Sequence, residues 1–168
     1  KSLSETRIFG VLQRIALCYF FASIILHFWK PKRAIVFSVM ALLSYQLVLL
    51  VFGDLSLSGN AVLKLDTWLI GASHMYHGDG IAFDPEGLLS TLPAIVNIIG
   101  GYLAGSFLQK SGQNYKTIAL LTMFGSFLIF MALGWDLLFP INKKLWTSSF
   151  VLLTIGIDLI IISVLVYF

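Results

Sequence analysis

The chain has 168 residues, of which 58% are hydrophobic and 11% charged, and its mean hydropathy is +0.93. This composition excludes an ordinary water-soluble domain, in which about a quarter of the residues are charged. The formal net charge of +3 is small and gives no reason to expect a nucleic-acid partner.

Five apolar runs are long enough to cross a lipid bilayer, which takes roughly 20 mostly apolar residues per helix. They cover residues 8–29, 34–52, 88–109, 117–139 and 147–168. The predicted fold class is therefore all-α, a polytopic membrane bundle of five transmembrane helices that forms a single domain over residues 1–168. Because the chain starts at Lys1 rather than Met and ends within an apolar run, we expect it to be a piece of a larger membrane protein.

The connections between the runs predict an orientation. The short turns at residues 30–33 and 110–116 lie on one face of the membrane, and Lys30, Lys32 and Arg33 form the tightest cluster of cations. Cations close to helix ends favour the cytoplasmic side. The polar loop at residues 53–87 is then extracytoplasmic.

This loop is the longest connection, and long loops in compact proteins are usually functional. Within it, residues 60–70 have apolar residues at helical spacing, which is typical of a helix in the interface plane with Trp68 as an anchor. Carboxylates and a histidine at a membrane boundary suit proton transfer or the binding of a cationic amine. The candidate catalytic residues are His74, Asp84 and Glu86.

Structural explanations for the same residues stay open. The run Asp84-Pro85-Glu86-Gly87 also suits the start of a helix, with Asp84 as the N-cap. His74 and His77 could bind a metal with Asp79 only if they shared a helix face. The surrounding glycines favour a loop, so acid or base chemistry by one histidine is favoured and no metal site is predicted.

Ionisable residues inside the spans usually face a bundle interior. Arg7 and Arg14 lie two helical turns apart on the first predicted helix, with Gly10 between them. We expect both to face the interior, near the loop acids or a bound anion, although snorkelling toward the surface stays open. Asp158 should also point inward, with Asn97 as a neutral partner.

Small residues on the third predicted helix are typical of close helix packing. Gly101 and Gly105 are four residues apart and should let a neighbouring helix approach closely. The lone cysteine, Cys18, lies inside the first run and leaves no intramolecular disulfide to propose.

Three stretches in order resemble the heparan-alpha-glucosaminide N-acetyltransferase family and its bacterial relatives of the DUF5009 type. They are Arg7-Ile8-Phe9-Gly10-Val11-Leu12-Gln13-Arg14-Ile15, Phe83-Asp84-Pro85-Glu86-Gly87-Leu88-Leu89-Ser90-Thr91 and Pro140-Ile141-Asn142-Lys143-Lys144-Leu145-Trp146. Loop positions Asp66, Gly71, His74 and Tyr76 are also similar to that family.

The resemblance implies an enzyme that moves acetyl from cytosolic acetyl-CoA to an extracytoplasmic amino sugar, in a bacterial inner membrane. It implies that the main catalytic histidine lies upstream of Lys1. We expect Arg7, Arg14, Asn97 and Asp66 to bind substrate. Two alternative functions stay open: a transporter whose path is lined by Arg14, Asn97 and Asp158, and a non-catalytic scaffold. The protein could also form a homo-oligomer.

Overall fold

The computed structural model describes residues 6–78 and 80–168, and every regular element within these ranges is a helix. In chain order the helices are α1 (Val11–Phe28), α2 (Pro31–Phe52), α3 (Ala61–Ile70), α4 (Leu88–Ser111), α5 (Tyr115–Asp136) and α6 (Ser148–Tyr167). A short 3-10 helix, Ala72–His74, follows α3. The all-α prediction is confirmed.

All these helices except α3 are long and apolar enough to cross a membrane, so the described residues hold five candidate spans. This agrees with the five apolar runs of the sequence and makes the chain an integral membrane protein, with the lipid bilayer around its helices. The second span starts earlier than residue 34 because Pro31, which has a fixed φ and no amide hydrogen, suits the first helical turn.

The ends of two other spans differ from the prediction for local reasons. Residues 6–10 form no regular structure, and Gly10 is extended with φ −142° and ψ 174°, so α1 begins only at Val11. At the end of α5, the Asp136 carboxylate accepts a hydrogen bond of 2.6 Å from the Ile141 amide. The apolar residues that follow α5 therefore form a turn, which hydropathy alone does not distinguish from a helix.

The helical spacing noted at residues 60–70 corresponds to α3. Asn60 caps this helix, because its side-chain oxygen accepts from the Leu63 amide at 2.7 Å. The Asn60 amide nitrogen donates in turn to the carbonyls of Ser56 and Leu57, both at 2.9 Å. The helix is thus tied to the loop that precedes it, and its buried face carries Val62 and Asp66.

Helix α4 lies at the centre and packs against each of the other five helices. At its N-terminal end, a core of buried side chains joins α2, α3 and the segment before α6, and it includes Tyr45, Leu49, Phe83, Phe139 and Leu145. The Tyr45 hydroxyl donates to the Leu145 carbonyl across this core. The polar residues of the site lie beside it.

The closest helix contact is not where the glycine spacing placed it. A side-chain carbon at Gly101 or Gly105 would meet nothing within 4 Å, so the predicted close approach at these residues is wrong for the described chain. The contact lies between α5 and α6, where a Cβ on Gly125 or on Gly156 would lie 2.7 Å from the other residue's carbonyl oxygen. Each of these helices contributes a single glycine to the contact, so a spacing motif could not reveal it.

Candidate functional site

Arg7 reaches the site from the non-helical segment before α1. The prediction that Arg7 and Arg14 share one face of a helix is wrong, because only Arg14 is helical. The segment is fixed by His74, whose carbonyl accepts from the Ile8 amide at 3.1 Å and whose Nδ1 lies 2.9 Å from the Thr6 carbonyl. Gly10 separates the two arginines as the N-cap of α1, and its missing Cβ would meet the Gln13 side chain rather than a neighbouring helix.

The Arg7 guanidinium binds both carboxylates of the turn before α4. Its Nε and Nη2 donate to the two oxygens of Asp84 at 3.0 and 2.7 Å, and Nη2 also lies 2.6 Å from Oε2 of Glu86. The ring of Tyr76 lies 4.8 Å from the guanidinium carbon. The hydrogen bond to Asp84 is the main cause that raises the pKa of Arg7 above its usual range. The expected contact between Arg7 and the loop acids is confirmed, but Arg7 is exposed, so the expectation that it faces the bundle interior is wrong.

The turn at residues 84–87 does not have the predicted capping geometry. Helix α4 starts at Leu88 with Gly87 as its N-cap, so the prediction that Asp84 is the N-cap is wrong. Asp84 instead accepts a weak hydrogen bond of 3.3 Å from the Glu86 amide and is fully buried against Arg7. The first amide of α4 is instead capped by a side chain of α3, because the Asp66 carboxylate accepts a hydrogen bond from the Leu88 amide at 3.1 Å.

Asp66 is fully buried, and its second oxygen, Oδ2, has no hydrogen-bond partner among the described residues. The carboxyl group fits only because Gly87 has no side chain: a Cβ there would lie 1.8 Å from Oδ2. Burial raises the pKa of Asp66 to about 6, and the nearby charge of Asp84 adds to this, while the Leu88 amide opposes it. Asp66 therefore stays protonated to a higher pH than an exposed aspartate does.

Arg14 lies inside the bundle, as predicted, with 7% of the residue exposed. Its two terminal nitrogens donate to the carbonyls of Pro85 and Ser90, both at 2.8 Å. The guanidinium carbon lies 4.0 Å from the centre of the Trp146 ring, which suits a cation–π contact. Arg14 therefore joins α1 to the start of α4 and to the segment before α6.

Trp146 is the site residue that sequence reasoning did not single out. Its φ of 52° is in the left-handed region, which is unusual for a bulky residue and costs of order 1–3 kcal/mol. In this conformation its indole nitrogen donates to Asn97 at 3.1 Å, and the Asn97 amide donates to Thr154 at 2.9 Å. The only signal in the sequence was its place at the end of the third family-like stretch.

Asp158 does not take part in this network. The prediction that it points inward beside Asn97 is wrong, because Asp158 is exposed on the outer surface of α6 and Asn97 bonds to Trp146 and Thr154. The residues of α6 are apolar on all sides, so the sequence does not show which side of the helix is buried. The prediction for Asp158 therefore depended only on the general expectation that a charged residue in a span faces inward.

The two histidines have different surroundings. Because the Thr6 carbonyl can only accept, the neutral His74 ring carries its proton on Nδ1, which leaves Nε2 as a proton acceptor. His77 is exposed, and its Nδ1 lies 2.9 Å from the carbonyl of Met75. Asp79, considered with them as a metal ligand, lies outside the described residues.

Comparison with known proteins gives one informative similarity. The chain is 29% identical over 207 residues to the heparan-alpha-glucosaminide N-acetyltransferase of Mus musculus. The chain is thus a distant relative of the mouse enzyme. The match covers 89% of this chain but 31% of the mouse protein, so the chain spans about a third of the length of its relative. No family model matches the chain.

The three stretches that resemble the acetyltransferase family meet at Arg14. The first stretch supplies Arg14 itself, the second supplies the carbonyls of Pro85 and Ser90, and the third ends in Trp146. Arg7 and Glu86, from the first and second stretches, form the partly exposed rim of the same cluster. The cluster thus combines a buried cation, a carboxylate near the surface and an aromatic face in one place.

Proposed function

We propose that the full-length protein is a membrane acyltransferase that moves the acetyl group of cytosolic acetyl-CoA to an amino sugar, similar to glucosamine, on the extracytoplasmic side. The distant mouse relative is named for N-acetyl transfer to a glucosaminide, and the five candidate spans suit an enzyme that works across a bilayer. In this orientation the turn at residues 30–33 is cytoplasmic and the 53–87 loop is outside.

The observation that carries this proposal is the convergence on Arg14. Residues from three separate family-like stretches contact one buried guanidinium at hydrogen-bond or ring-stacking distance. A cation held at low exposure in a membrane protein is costly, and such residues usually have a function. A bundle that needed only stability would more readily place an apolar side chain there.

The reaction needs a group that holds the substrate ammonium and a group that accepts its proton. The deprotonated sugar nitrogen then attacks the thioester carbon, a C–N bond forms and the C–S bond breaks, and the departing thiolate takes the second nitrogen proton and leaves as the thiol. Glu86 is the proposed group that holds the ammonium, because among the described residues Arg7 occupies its Oε2, and Oε1 is the proposed acceptor. His74, with Nε2 as an acceptor, is the proposed proton acceptor within this chain.

The cytoplasmic end of the bundle offers a place for the donor. A groove of about 570 Å³ beside the α1–α2 turn is lined by Trp29, Lys32 and Arg33, with apolar residues of α2 below them. Cations beside an aromatic ring suit phosphate and a stacked base. Trp29 lies roughly 22 Å from Arg14 along the axis of α1, at 1.5 Å rise per residue. The acetyl group must therefore cross much of the bilayer.

The transporter alternative receives less support from the site. Its path required Arg14, Asn97 and Asp158 together, whereas Asp158 faces away from the other two. Arg14 and Asn97 are joined through Trp146, but both are already engaged by protein groups.

Acetyl transfer can be tested with the full-length protein in liposomes. Acetyl-CoA labelled in its acetyl group is supplied on the side of the 30–33 turn and glucosamine on the side of the 53–87 loop. We expect label on the sugar nitrogen. Accumulation of unmodified sugar without label would favour transport and would contradict the proposal.

Two variants test the assigned residues. Glu86→Gln should reduce turnover while the protein remains folded, and Arg14→Lys should also be harmful because an ammonium cannot reach both carbonyls in the guanidinium geometry. Asp54→Asn is the matched control, since Asp54 is an exposed residue of the same loop whose carboxylate accepts hydrogen bonds from the neighbouring Ser56. If Glu86→Gln kept full activity, the Glu86 carboxylate would have no function in the reaction and would serve only as an ion-pair partner of Arg7.

A further inference from the structure

Helix α3 carries an apolar edge that points away from the site. Trp68 is 80% exposed and Leu69 45%, while the opposite face of the helix, with Val62 and Asp66, is buried. An indole ring exposed to this degree is unusual in water, but it suits the boundary of a membrane, where its apolar body and its N–H group meet different surroundings. The helix is thus divided between a face toward the protein and a face toward something apolar.

A groove runs beside this edge. It has a volume of about 370 Å³ and is lined by Val48 and Phe52 at the end of α2, by Leu65 and Trp68 of α3, and by Leu89 at the start of α4. The Lys64 side chain lies at its rim and donates to the Phe52 carbonyl at 2.9 Å. The groove is therefore apolar along its walls and cationic at one border.

The walls of the groove continue directly into surface that faces lipid. Phe52, which is 64% exposed, is the last residue of the α2 span, and Val51 beside it is also exposed. Exposed apolar residues on a membrane span contact acyl chains. The apolar edge of α3 extends this surface beyond the end of α2. Among the residues that line the groove, Lys64 is the polar one between α2 and the edge of α3.

We propose that α3 lies in the membrane interface and that a phospholipid of the adjoining leaflet places an acyl chain in this groove, with its phosphate near Lys64. Trp68 sits at headgroup level, and Leu65 and Leu69 contact the upper part of the acyl chains. Exposure and continuity with a membrane span support this placement, which is independent of the acetyl-transfer proposal.

This contact sets the depth of the site. Asp66 lies two residues from Trp68 and holds the first amide of α4 at 3.1 Å, so α3 and the start of α4 move together. An α3 fixed in the interface places the Arg7–Asp84–Glu86 cluster at the edge of the polar region, where a water-soluble amine can approach without entering hydrocarbon.

The test uses the full-length protein in phosphatidylcholine liposomes, in a background without other reactive cysteines that includes Cys18→Ser. An environment-sensitive fluorophore is attached after Trp68→Cys and, as the matched control, after Ser58→Cys, an exposed position in the same loop before α3. Quenching is compared for aqueous iodide, for lipids with a nitroxide near the headgroup and for lipids with a nitroxide near the chain end.

We expect the label at position 68 to emit at shorter wavelength than the label at 58 and to lose most emission with the nitroxide near the headgroup. The label at 58 should be quenched mainly by iodide. Stronger quenching of position 68 by iodide than by either lipid would overturn the proposal, and so would strongest quenching by the nitroxide near the chain end. A second reporter at Leu69→Cys should become more accessible to iodide when Trp68→Glu is added, but not when Trp68→Phe is added.

Discussion

The buried carboxyl of Asp66 makes stability depend on pH in a direction that one substitution can isolate. Asp66→Asn keeps an oxygen that can accept from the Leu88 amide, and it removes the group that ionises. The variant should therefore lose the part of the pH dependence that belongs to Asp66, while the fold stays the same.

The magnitude follows from the two pKa values. The pKa of Asp66 is about 6 in the folded protein, against 3.8 for an exposed aspartate, so the folded state binds more protons than the unfolded state between these values. Stability then falls as pH rises through this window. A difference of about two pKa units corresponds to about 3 kcal/mol, which is fully lost above about pH 7.

The measurement is thermal unfolding of parent and variant in the same detergent at about pH 5 and about pH 8, where Asp66 passes from mostly neutral to ionised. We expect the stability of the variant relative to the parent to rise by about 1–2 kcal/mol, or a few degrees in melting temperature, between the two conditions. This is about half of the full effect, because the carboxyl of the unfolded chain is already ionised at about pH 5. The asparagine amide hydrogens would lack a partner at the position of Oδ2, which lowers the stability of the variant by the same amount at both pH values. The test therefore compares how the stability difference between variant and parent changes from one pH to the other.

Asp54→Asn is a matched control that should show no change between the two conditions. The hydrogen bonds of Ser56 lower the pKa of Asp54, so its carboxylate is ionised in the folded and the unfolded protein at both pH values, and any difference from the parent should stay constant. An equal difference between Asp66→Asn and the parent at both pH values would refute the assignment of a raised pKa to Asp66.

Further outcomes concern packing, capping and orientation. Gly156→Ala should destabilise the bundle by about 1–3 kcal/mol because its Cβ would lie 2.7 Å from a carbonyl oxygen of α5, whereas Gly101→Ala, which meets nothing, should be neutral; thermal unfolding of the pair distinguishes them. Asn60→Ala should cost about 0.5–2 kcal/mol through the lost α3 cap, and an unchanged melting temperature would contradict that function. A membrane-impermeant thiol reagent on intact cells should label Ser58→Cys and spare Ser111→Cys; the reverse pattern would invert the orientation.

Sequence patterns predicted the features that depend on long averages. Five spans and the helix at α3 follow from run length and from apolar spacing, which sum over many residues and tolerate local exceptions. The contact of Arg7 with the loop acids also followed, because topology places them at one end of the bundle. These predictions need no knowledge of individual side-chain conformations.

The remaining features depend on single contacts between distant segments. The cap of α4 comes from Asp66, 22 residues before Leu88, so no local motif at residues 84–87 could indicate it. Trp146 enters the site through one left-handed backbone conformation. Asp158 was misplaced because the sequence shows that a charge is costly in a span but not which helix neighbours are present to cover it.

Arg14 recognises the backbone of the α4 start rather than its side chains, since both of its acceptors are carbonyl oxygens. Every amino acid supplies such an oxygen, so substitutions at position 85 or 90 can keep the acceptors, whereas no other side chain offers two donors in the same plane with a permanent charge. The interface between the first and fourth helices is thus unequal in its tolerance of mutation. Substitutions on the α4 side can leave these two hydrogen bonds in place, whereas replacement of Arg14 removes both.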